Sequence, residues 1–532
     1  MSLNSTNYIE YIDALTDIGI ALSAEKNQDM LLEKILVNAM RLTNADAGTL
    51  YLLTESQQEL KFLIFSNNAL NIQLRKLAYE DAIFQFIPLY EQDQKPNLKN
   101  IACCCFFLNK TINIADAYHA KNFDFSGTKA ADKKLGYYSK SFLVIPLRNH
   151  ENKIIGVLQL INAIDETTSK IITFNAENTH LAEALASQAA ITLTQQQLIS
   201  AQKKLFESFI QLIAKAIDEK SAYTSKHCTR VPIITMMLAD AVQNTKEGPY
   251  KDFQLTSEQL EELRIAAWLH DCGKVTTPEY VMDKATKLAA LNDRIEVIDL
   301  RFEILRRDLK ISILENKLKQ YSKETLLDDD YQKSMDILLA EQNFLRWVNI
   351  GSEYLSNTDQ KKIKEMAKKY HFSNVDGIQQ FLLDKHEINN LSISKGTLNK
   401  QEREIIKNHV RVTLKMLESL PYPEYLKHIP EIAGSHHERV DGQGYPRGLT
   451  RDNMLIQARM VAIADIFEAL TAADRPYKKA KTLSETLEIM AKMQKDQHID
   501  SDLYDIFIRE KIPWKYAKQY LKKSQIDVVD PG

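Results

Sequence analysis

The stretch Leu269-His270-Asp271-Cys272-Gly273-Lys274 sets an imidazole and a carboxylate side by side, and His436-His437-Glu438 follows far downstream. Both lie in a region whose apolar spacing is helical almost throughout, from Ser221 to the last residues, so we predict an all-α fold there. Imidazoles and carboxylates are ligands that iron, manganese, nickel and zinc accept, and an adjacent His-Asp pair can supply a terminal ligand and a bridge between two metals. The two stretches therefore predict a centre with two metals.

Three further residues of the ligand type occur in helical contexts, namely His227, His409 and Asp465. Asp465 is the most informative, because a carboxylate among Val461, Ile463 and other apolar neighbours is costly to bury unless it is paired or bound to a metal. A single histidine would more often have a structural role. The joint pattern favours the metal centre of a hydrolase.

A highly charged block between residues 291 and 391 interrupts this region. Its apolar residues are spaced three or four apart, which predicts an inserted helical hairpin with a coiled-coil seam. The seam residues are Ile298, Phe302, Leu305, Leu309 and Ile313. We interpret the block as a surface for dimerisation or for a protein partner, and its His371 and His386 as ordinary surface histidines.

The first 195 residues have a different pattern. Two amphipathic helices up to about Gly48 precede strand-like runs at 49–53, 60–65, 141–147 and 154–161, which predict hairpins of an antiparallel sheet. A stretch from Asn175 to about Lys220 without Pro or Gly then predicts one long helix that continues into the all-α region. We expect a compact α+β module that is joined by this helix to the second domain.

Length, charge and cysteine content narrow the class of protein. A chain of 532 residues exceeds what one core usually supports, so two or three domains are expected. Its 68 basic and 71 acidic residues are interspersed, which argues against binding a nucleic acid polymer or a membrane. Five cysteines, three of them consecutive at Cys103-Cys104-Cys105, and the lack of a long apolar run predict an unexported, cytoplasmic protein. We assign no role to the three adjacent cysteines.

Residues 10 to 195 resemble a GAF domain of the phosphodiesterase type. The resemblance rests on Asn113 to Tyr118, Phe123 to Phe125, Asp132 to Tyr137 and Leu160 to Ala163. Domains of this family that bind cyclic nucleotides carry an Asn-Lys, Phe, Asp-Glu signature, which Asn162 and Phe174 match. Ala163 replaces the lysine and Asn178 the aspartate. The resemblance implies a sensory or dimerising GAF domain whose small-molecule ligand, if it has one, is unknown.

Residues 205 to 515 resemble the HD-GYP domain, which is named after the equivalents of His270-Asp271 and Gly444-Tyr445-Pro446. Five blocks match in order: Tyr223 to Val231, His270 to Lys274, Gly396 to Leu398 with His409, His436 to Pro446, and Asp465 with Asp474 to Lys478. Members of this family are phosphodiesterases that use two or three metals to hydrolyse bacterial cyclic dinucleotides, most often cyclic di-GMP.

The resemblance implies a set of site residues. The implied metal ligands are His227, His270, Asp271, His409, His436, His437 and Asp465, with Asp271 as the bridge. Tyr223 stands where relatives with a third metal have a glutamate, so we expect two divalent ions, iron or manganese first and nickel or zinc as alternatives. Asp271 and Lys274 are the predicted catalytic residues. Lys274, placed one helical turn after His270, is expected to neutralise substrate phosphates together with Arg475 and Lys478.

Two departures from the family pattern concern the substrate. The insertion lengthens a connection that is usually short, and the spacing from Asp465 to Arg475 is one residue longer than in many members.

From the patterns and resemblances together, we predict a GAF domain at 1–195, a signalling helix at 196–222, and an HD-GYP domain at 223–532 with a helical insertion at about 291–391.

The expected function is hydrolysis of cyclic di-GMP to pGpG or GMP, regulated by the GAF domain, in a homodimer. Two alternatives stay open. One is an HD-type phosphohydrolase for another cyclic dinucleotide such as cyclic GMP-AMP, and the other is a receptor that binds the nucleotide without cleaving it.

Overall fold

The protein is described by a computed structural model. It describes residues 16–21, 24–25, 27–75, 86–220, 226–320, 326–351, 354–374, 376–472 and 480–528. The chain divides into two compact units, Met1–Leu205 and Phe206–Gly532. Each unit has its own core.

The first unit is built around one antiparallel sheet. The strands are β1 (Ala45–Leu53), β2 (Glu59–Asn67), β3 (Ile72–Arg75), β4 (Phe86–Pro88), β5 (Ile112–Ile114), β6 (Phe142–Arg148), β7 (Ile154–Ile164) and β8 (Ile171–Ile172). Their order in the sheet is β3-β2-β1-β7-β6-β5, with β4 paired to β2 and β8 paired to β7. The central strand β1 lies between β2 and β7, so that Leu50 faces Ile64 on one side and Leu158 on the other.

Both faces of this sheet are covered, because alternate side chains of a strand point to opposite faces. In β6, Leu143 and Ile145 pack in a core with helix α1 (Gln28–Thr43) and the first part of helix α4 (Ala176–Glu219). Phe142 and Val144 pack on the other face, against helix α2 (Ile101–Leu108). A fourth helix, α3 (Ser126–Leu135), completes the unit. The predicted α+β module with paired hairpins is confirmed.

Helix α4 is continuous over 44 residues. The absence of Pro and Gly, which break or weaken helices, accounts for this length. The boundary between the two units falls within it. A row of large apolar side chains on α4 is exposed: Ile191, Leu198, Ile199, Leu205, Phe206, Phe209, Leu212 and Ile213.

The second unit is largely helical, as predicted. Its main core packs Val231, Leu263, Ile432, Ile463 and Phe507 from five different helices. The helices that form this part are α5 (His227–Asn244), α6 (Ser257–Leu269), α7 (Glu279–Met282), α12 (Lys400–Glu418), α13 (Ile429–Gly434), α14 (Ile456–Thr471), α15 (Leu483–Lys495), α16 (Ser501–Arg509) and α17 (Ile512–Tyr520).

The insertion in the second unit has a separate apolar cluster. Its elements are α8 (Ile295–Gln320), α9 (Leu326–Ile350), α10 (Asn357–Lys369), a hairpin of β9 (His371–Ser373) and β10 (Gln379–Phe381), and α11 (Lys385–Leu391). The seam that the sequence suggested for a partner is internal, because Ile298, Phe302 and Leu305 are buried in this cluster. The insertion therefore has a core of its own, and the predicted seam is part of it.

No helix within the described ranges combines the length and the apolar character that crossing a membrane requires.

Candidate metal centre

The seven predicted ligands come together, five of them at helix ends and two within helices. Helix α5 begins at His227, and α6 ends immediately before His270-Asp271. His436-His437 follows closely after the end of α13. Within helices, His409 lies on α12 and Asp465 on α14. A helix end allows the chain to turn, so two consecutive side chains can enter the same cluster.

Asp271 lies at the centre of the cluster, and its two carboxylate oxygens face different histidines. Oδ2 is 3.1 Å from Nε2 of His227 and 3.3 Å from Nε2 of His270. Oδ1 is 3.2 Å from Nε2 of His409 and 3.8 Å from Nε2 of His436. Asp465 adds a second carboxylate, with Oδ1 at 3.2 Å from Nε2 of His227. One carboxylate thus lies between two groups of imidazoles.

The orientation of three histidine rings is set by their own helices. Nδ1 of His270 is 2.7 Å from the carbonyl oxygen of Ala267, and Nδ1 of His436 is 2.6 Å from that of Ala433. His409 makes the same contact with the carbonyl three residues before it. A carbonyl oxygen only accepts, so each Nδ1 carries a proton, and in the neutral form of the ring Nε2 then keeps its lone pair. This tautomer is the one that binds a metal through Nε2.

His227 is oriented differently, by a carboxylate that the sequence analysis missed. Its Nδ1 is 2.6 Å from Oε2 of Glu468, and Oε1 of Glu468 is 3.2 Å from Arg230. Glu468 is almost fully buried and lies one turn after Asp465 on α14. Its position among apolar neighbours is the same signal that identified Asp465, so the spacing of the two carboxylates could have revealed it.

Several polar atoms of the cluster are buried without a hydrogen-bond partner: Oδ1 of Asp271 and Nε2 of His409 and of His436. Such atoms are expensive to bury unless another group satisfies them. Three sets of side chains have ligand atoms within 4.8 Å of one another: His409 with His436 and His437, His227 with His270 and Asp465, and His270 with Asp271 and His436. The unsatisfied atoms and the donor types fit divalent first-row metals.

Burial and neighbouring charges set the protonation states of the histidines and of Asp271 in the cluster. Burial lowers the pKa of His436 well below its ordinary value and that of His437 to about 4, with neighbouring imidazoles contributing at His436. Burial opposes ionisation of Asp271, but Lys274 and His270 hold its pKa well below the usual range. Burial also opposes protonation of His227 and His270, but the carboxylates of Asp271 and Asp465 raise the pKa of His227 well above its ordinary value and that of His270 to about 9. The cluster therefore combines an ionised carboxylate and two neutral imidazoles with two rings that would release a proton on binding a metal.

The sequence analysis placed Lys274 one turn after His270 on the same α-helix, but this helix does not extend to Lys274. Helix α6 ends at Leu269, and Cys272–Thr276 forms a 3-10 helix. This tighter winding turns the half-buried ammonium group towards Asp271, and Nζ lies 2.5 Å from Oδ2. Arg475 and Lys478, as well as Tyr223, fall outside the described residues.

A loop beside the cluster is fastened by Glu438. Its carboxylate accepts hydrogen bonds from the backbone N–H groups of Arg447, at 2.6 Å, and Leu449, at 2.9 Å. Within this loop the Tyr445 ring stacks on His437, with ring centres 4.9 Å apart. Gly444 approaches the backbone of Glu438 so closely that a Cβ there would lie 2.4 Å from Cα of Glu438. The Gly-Tyr-Pro segment therefore packs directly on one of the predicted ligands.

In the first unit, the side chain of Asn162 is hydrogen-bonded to neighbouring protein groups. Its side-chain oxygen accepts from the backbone N–H groups of Lys140 and Ser141, and its amide nitrogen donates to Tyr137 and Tyr138. Both the oxygen and the nitrogen of the Asn162 side chain thus have hydrogen-bond partners within the protein. Phe174 is buried, and Asn178 donates to the carbonyl of Thr43. Cys103, Cys104 and Cys105 are buried as well.

Comparison with known families supports both domain predictions. A GAF domain model matches residues 27–193, and two HD domain models match residues 224–341 and 386–503. The two HD matches leave residues 342–385 uncovered. This range lies within the predicted insertion and contains the end of α9 and all of α10.

Several curated relatives align with part of the chain. The 3'3'-cGAMP-specific phosphodiesterase 1 of Vibrio cholerae is 39% identical over 132 residues, which are 24% of this chain and 28% of that protein. The cyclic di-GMP phosphodiesterase of Thermotoga maritima is 33% identical over 148 residues, 25% of this chain and 40% of that protein. The cyclic di-GMP phosphodiesterase response regulator RpfG of Xanthomonas campestris is 36% identical over 117 residues, 22% of this chain and 30% of that protein. The chain thus spans well under half the length of each of these relatives.

The family matches and the cluster of histidines and carboxylates agree with each other. This chain therefore contains a GAF domain followed by an HD-family domain that carries the HD-GYP residues His270-Asp271 and Gly444-Tyr445-Pro446.

Proposed function

We propose that this chain is a metal-dependent phosphodiesterase that hydrolyses a cyclic dinucleotide. The observation that carries the proposal is the convergence of five histidines and two aspartates with three buried, unsatisfied ligand atoms among them. A cluster of this kind is costly in an apolar core, and a bound metal removes the cost. The curated relatives with cyclic dinucleotide phosphodiesterase names support the class of reaction.

Two divalent ions suit the arrangement of donors. His227, His270 and Asp465 would hold one ion and His409, His436 and His437 the other, with Asp271 contributing to both. When bound, such a pair of metals activates a water molecule and polarises a phosphate. Iron and manganese are the first expectation, with nickel and zinc as alternatives, because ligands of this type accept several first-row ions.

The protein residues hold this site in its working geometry. The carbonyl groups behind His270, His409 and His436 keep Nε2 free for the metal, and Glu468 does so for His227. Lys274 places a positive charge beside Asp271, within reach of a phosphate oxygen that approaches this carboxylate. Its charge would stabilise the negative charge that grows on the phosphate during cleavage.

The first candidate substrate is cyclic di-GMP, cleaved to pGpG or further to GMP. Cyclic GMP-AMP is the second candidate, because the relatives carry both kinds of names and because metals do not distinguish the bases. Groups that contact a base must therefore decide between them. The predicted phosphate contacts of Arg475 and Lys478 remain predictions.

The test is hydrolysis of a panel of cyclic dinucleotides by the full chain, purified without oxygen, with the metal content measured on the same sample. We expect turnover with about two metals per chain, and loss of turnover in His270→Ala and Asp271→Ala. Lys95→Ala, on an exposed side chain in the other unit, is the control. Nucleotide binding without turnover, in protein that contains metal, would instead indicate a receptor.

Regulation by the GAF domain and assembly as a homodimer belong to the same proposal. Support comes from α4, where Leu198, Leu205 and Leu212 recur every seven residues and are exposed. Such a row favours pairing with the same helix of a second chain, as in a coiled coil. Leu205→Glu is expected to lower the molar mass in solution, whereas Ser200→Glu, at an exposed position on the opposite side of α4, should leave it unchanged.

A further inference from the structure

The insertion carries a second apolar seam, on the outside of helix α8. Its residues follow an alternating spacing of three and four: Val297, Leu300, Ile304, Arg307, Ile311, Leu314 and Leu318. The six apolar side chains in this series are between 38% and 76% exposed. The opposite side of the helix, with Ile298 and Phe302, is buried in the core of the insertion. Helix α8 thus has one apolar side that packs in the core of the insertion and a second that no described residue covers.

Spacing of this kind is the pattern of a two-stranded coiled coil, in which positions a and d of each heptad face the partner helix. Val297, Ile304, Ile311 and Leu318 occupy position a, and Leu300, Arg307 and Leu314 occupy position d. The seam extends over about 33 Å at the rise of an α-helix. Contiguous exposed apolar surface on this scale is uncommon in monomeric proteins and usually marks an interaction site.

We infer that this seam binds the same helix of a second copy of the chain, in antiparallel orientation. The first argument is Arg307, the one charged residue of the seam. In a parallel pair, the two copies of Arg307 would face each other at position d and repel. In an antiparallel pair, position d faces position a, so Arg307 lies opposite Ile304 of the other copy, and the two guanidinium groups lie in adjacent layers instead of in one.

The second argument is the charge beside the seam. Glu303 and Lys310 occupy successive g positions, and in an antiparallel pair g faces g. The register that sets Ile304 opposite Arg307 also sets Glu303 opposite Lys310 of the other copy, and the two-fold symmetry repeats this pair. Both side chains are accessible: that of Glu303 is 47% exposed and forms ion pairs with the neighbouring Arg306 and Arg307, at 3.8 and 3.4 Å, and Lys310 is exposed. The helix thus complements itself in charge as well as in apolar contact.

The third argument is that the helix is already formed. The first part of helix α8, up to Leu309, packs on the core of the insertion, so pairing there does not have to order a flexible segment. This register pairs the seam residues from Val297 to Leu314 in six layers: four are apolar on both sides, and two set Arg307 opposite Ile304. A preformed surface spends less of its contact energy on ordering. Assembly through the insertion would therefore add a contact between chains that is separate from pairing through α4.

Disulfide cross-linking tests the register directly. We would mix a size-tagged Glu303→Cys chain with an untagged Lys310→Cys chain under mild oxidation. The expected result is a mixed disulfide dimer, with little dimer from Glu303→Cys alone. The five native cysteines are buried, so they contribute little background. Lys361→Cys, on the exposed surface of α10, replaces Lys310→Cys in the control mixture and should give no product.

Charge reversal and molar mass provide the second test. Glu303→Lys should weaken association roughly tenfold, as expected for reversing two surface ion pairs, and Glu303→Lys with Lys310→Glu should restore it. Ile311→Arg should abolish association through α8, whereas Leu291→Arg should not, although Leu291 is 95% exposed. No mixed disulfide, or equal cross-linking by Glu303→Cys alone, would overturn the antiparallel pair. These readouts do not require phosphodiesterase activity, so they stand apart from the proposed function.

Discussion

Gly273, between the His-Asp pair and Lys274, is the position where a single methyl group should disable the metal centre without removing a ligand. A Cβ at Gly273 would lie 2.0 Å from the carbonyl oxygen of His409 and 2.6 Å from the backbone nitrogen of Thr413. Ordinary contact begins at 3.4 Å, so the two backbones must separate by about 1.4 Å. The contact cannot be relieved by a side-chain rotation, because the opposing atoms belong to the backbone of helix α12.

The same contact is fastened by hydrogen bonds. The backbone N–H of Gly273 donates to Oγ1 of Thr413 at 2.9 Å, and this hydroxyl donates to the carbonyl of His270 at 3.2 Å. A displacement of α12 therefore moves His409 away from Asp271, to which it lies at 3.2 Å. Metal sites tolerate deviations of about 0.2 Å in ligand distances. A shift several times larger should release a ligand.

We expect Gly273→Ala to lower turnover roughly 100-fold, the scale associated with a misplacement of about 1 Å. The free energy of unfolding should fall by about 1–3 kcal/mol, as for an overpacked core. The assay measures metal per chain, hydrolysis of the cyclic dinucleotide and thermal unfolding on one preparation. Gly127→Ala is the control, because nothing lies within 4 Å of a Cβ there. Normal metal content and turnover in Gly273→Ala would refute the reasoning.

Three other predictions follow from buried polar groups. Glu468→Gln removes the charge behind the first ligand histidine and should weaken metal binding about 10–100-fold, measured by competition with a chelator; an unchanged affinity would show that the carboxylate has no such role. Lys284 pairs with Glu402 at 2.7 Å, and its side chain is only 2% exposed. Lys284→Met should therefore lower the free energy of unfolding in urea by about 3–5 kcal/mol, and the double variant with Glu402→Gln, which keeps the hydrogen bond of this side chain to the backbone N–H of Asn399, should regain most of it, whereas additive losses would contradict a buried pair. Burial raises the pKa of Cys103 and of Cys105 to about 12, so both thiols stay protonated near neutral pH; they should react slowly with a thiol reagent in the native protein and rapidly in denaturant, and fast native labelling would argue against burial.

The chemistry of the centre was accessible from the sequence, because histidine and aspartate reveal a metal site by their type and by their apolar surroundings. Asp465 among valine and isoleucine is an example, since burial of a carboxylate requires a partner. The hydrophobic periods likewise predicted an antiparallel sheet followed by helices, because a strand and a helix bury alternate residues at different spacings.

The relations between distant residues came only from the folded chain. Glu468 meets His227 across 241 positions, and no local pattern encodes that contact. Lys274 depends on a helix that stops at Leu269, and helix ends are set by packing as well as by the local sequence. The apolar spacing of α8 likewise contained two seams, and only the packing of the insertion decided which one is buried. Residue type determines what a side chain can bind, whereas the tertiary structure determines what it meets.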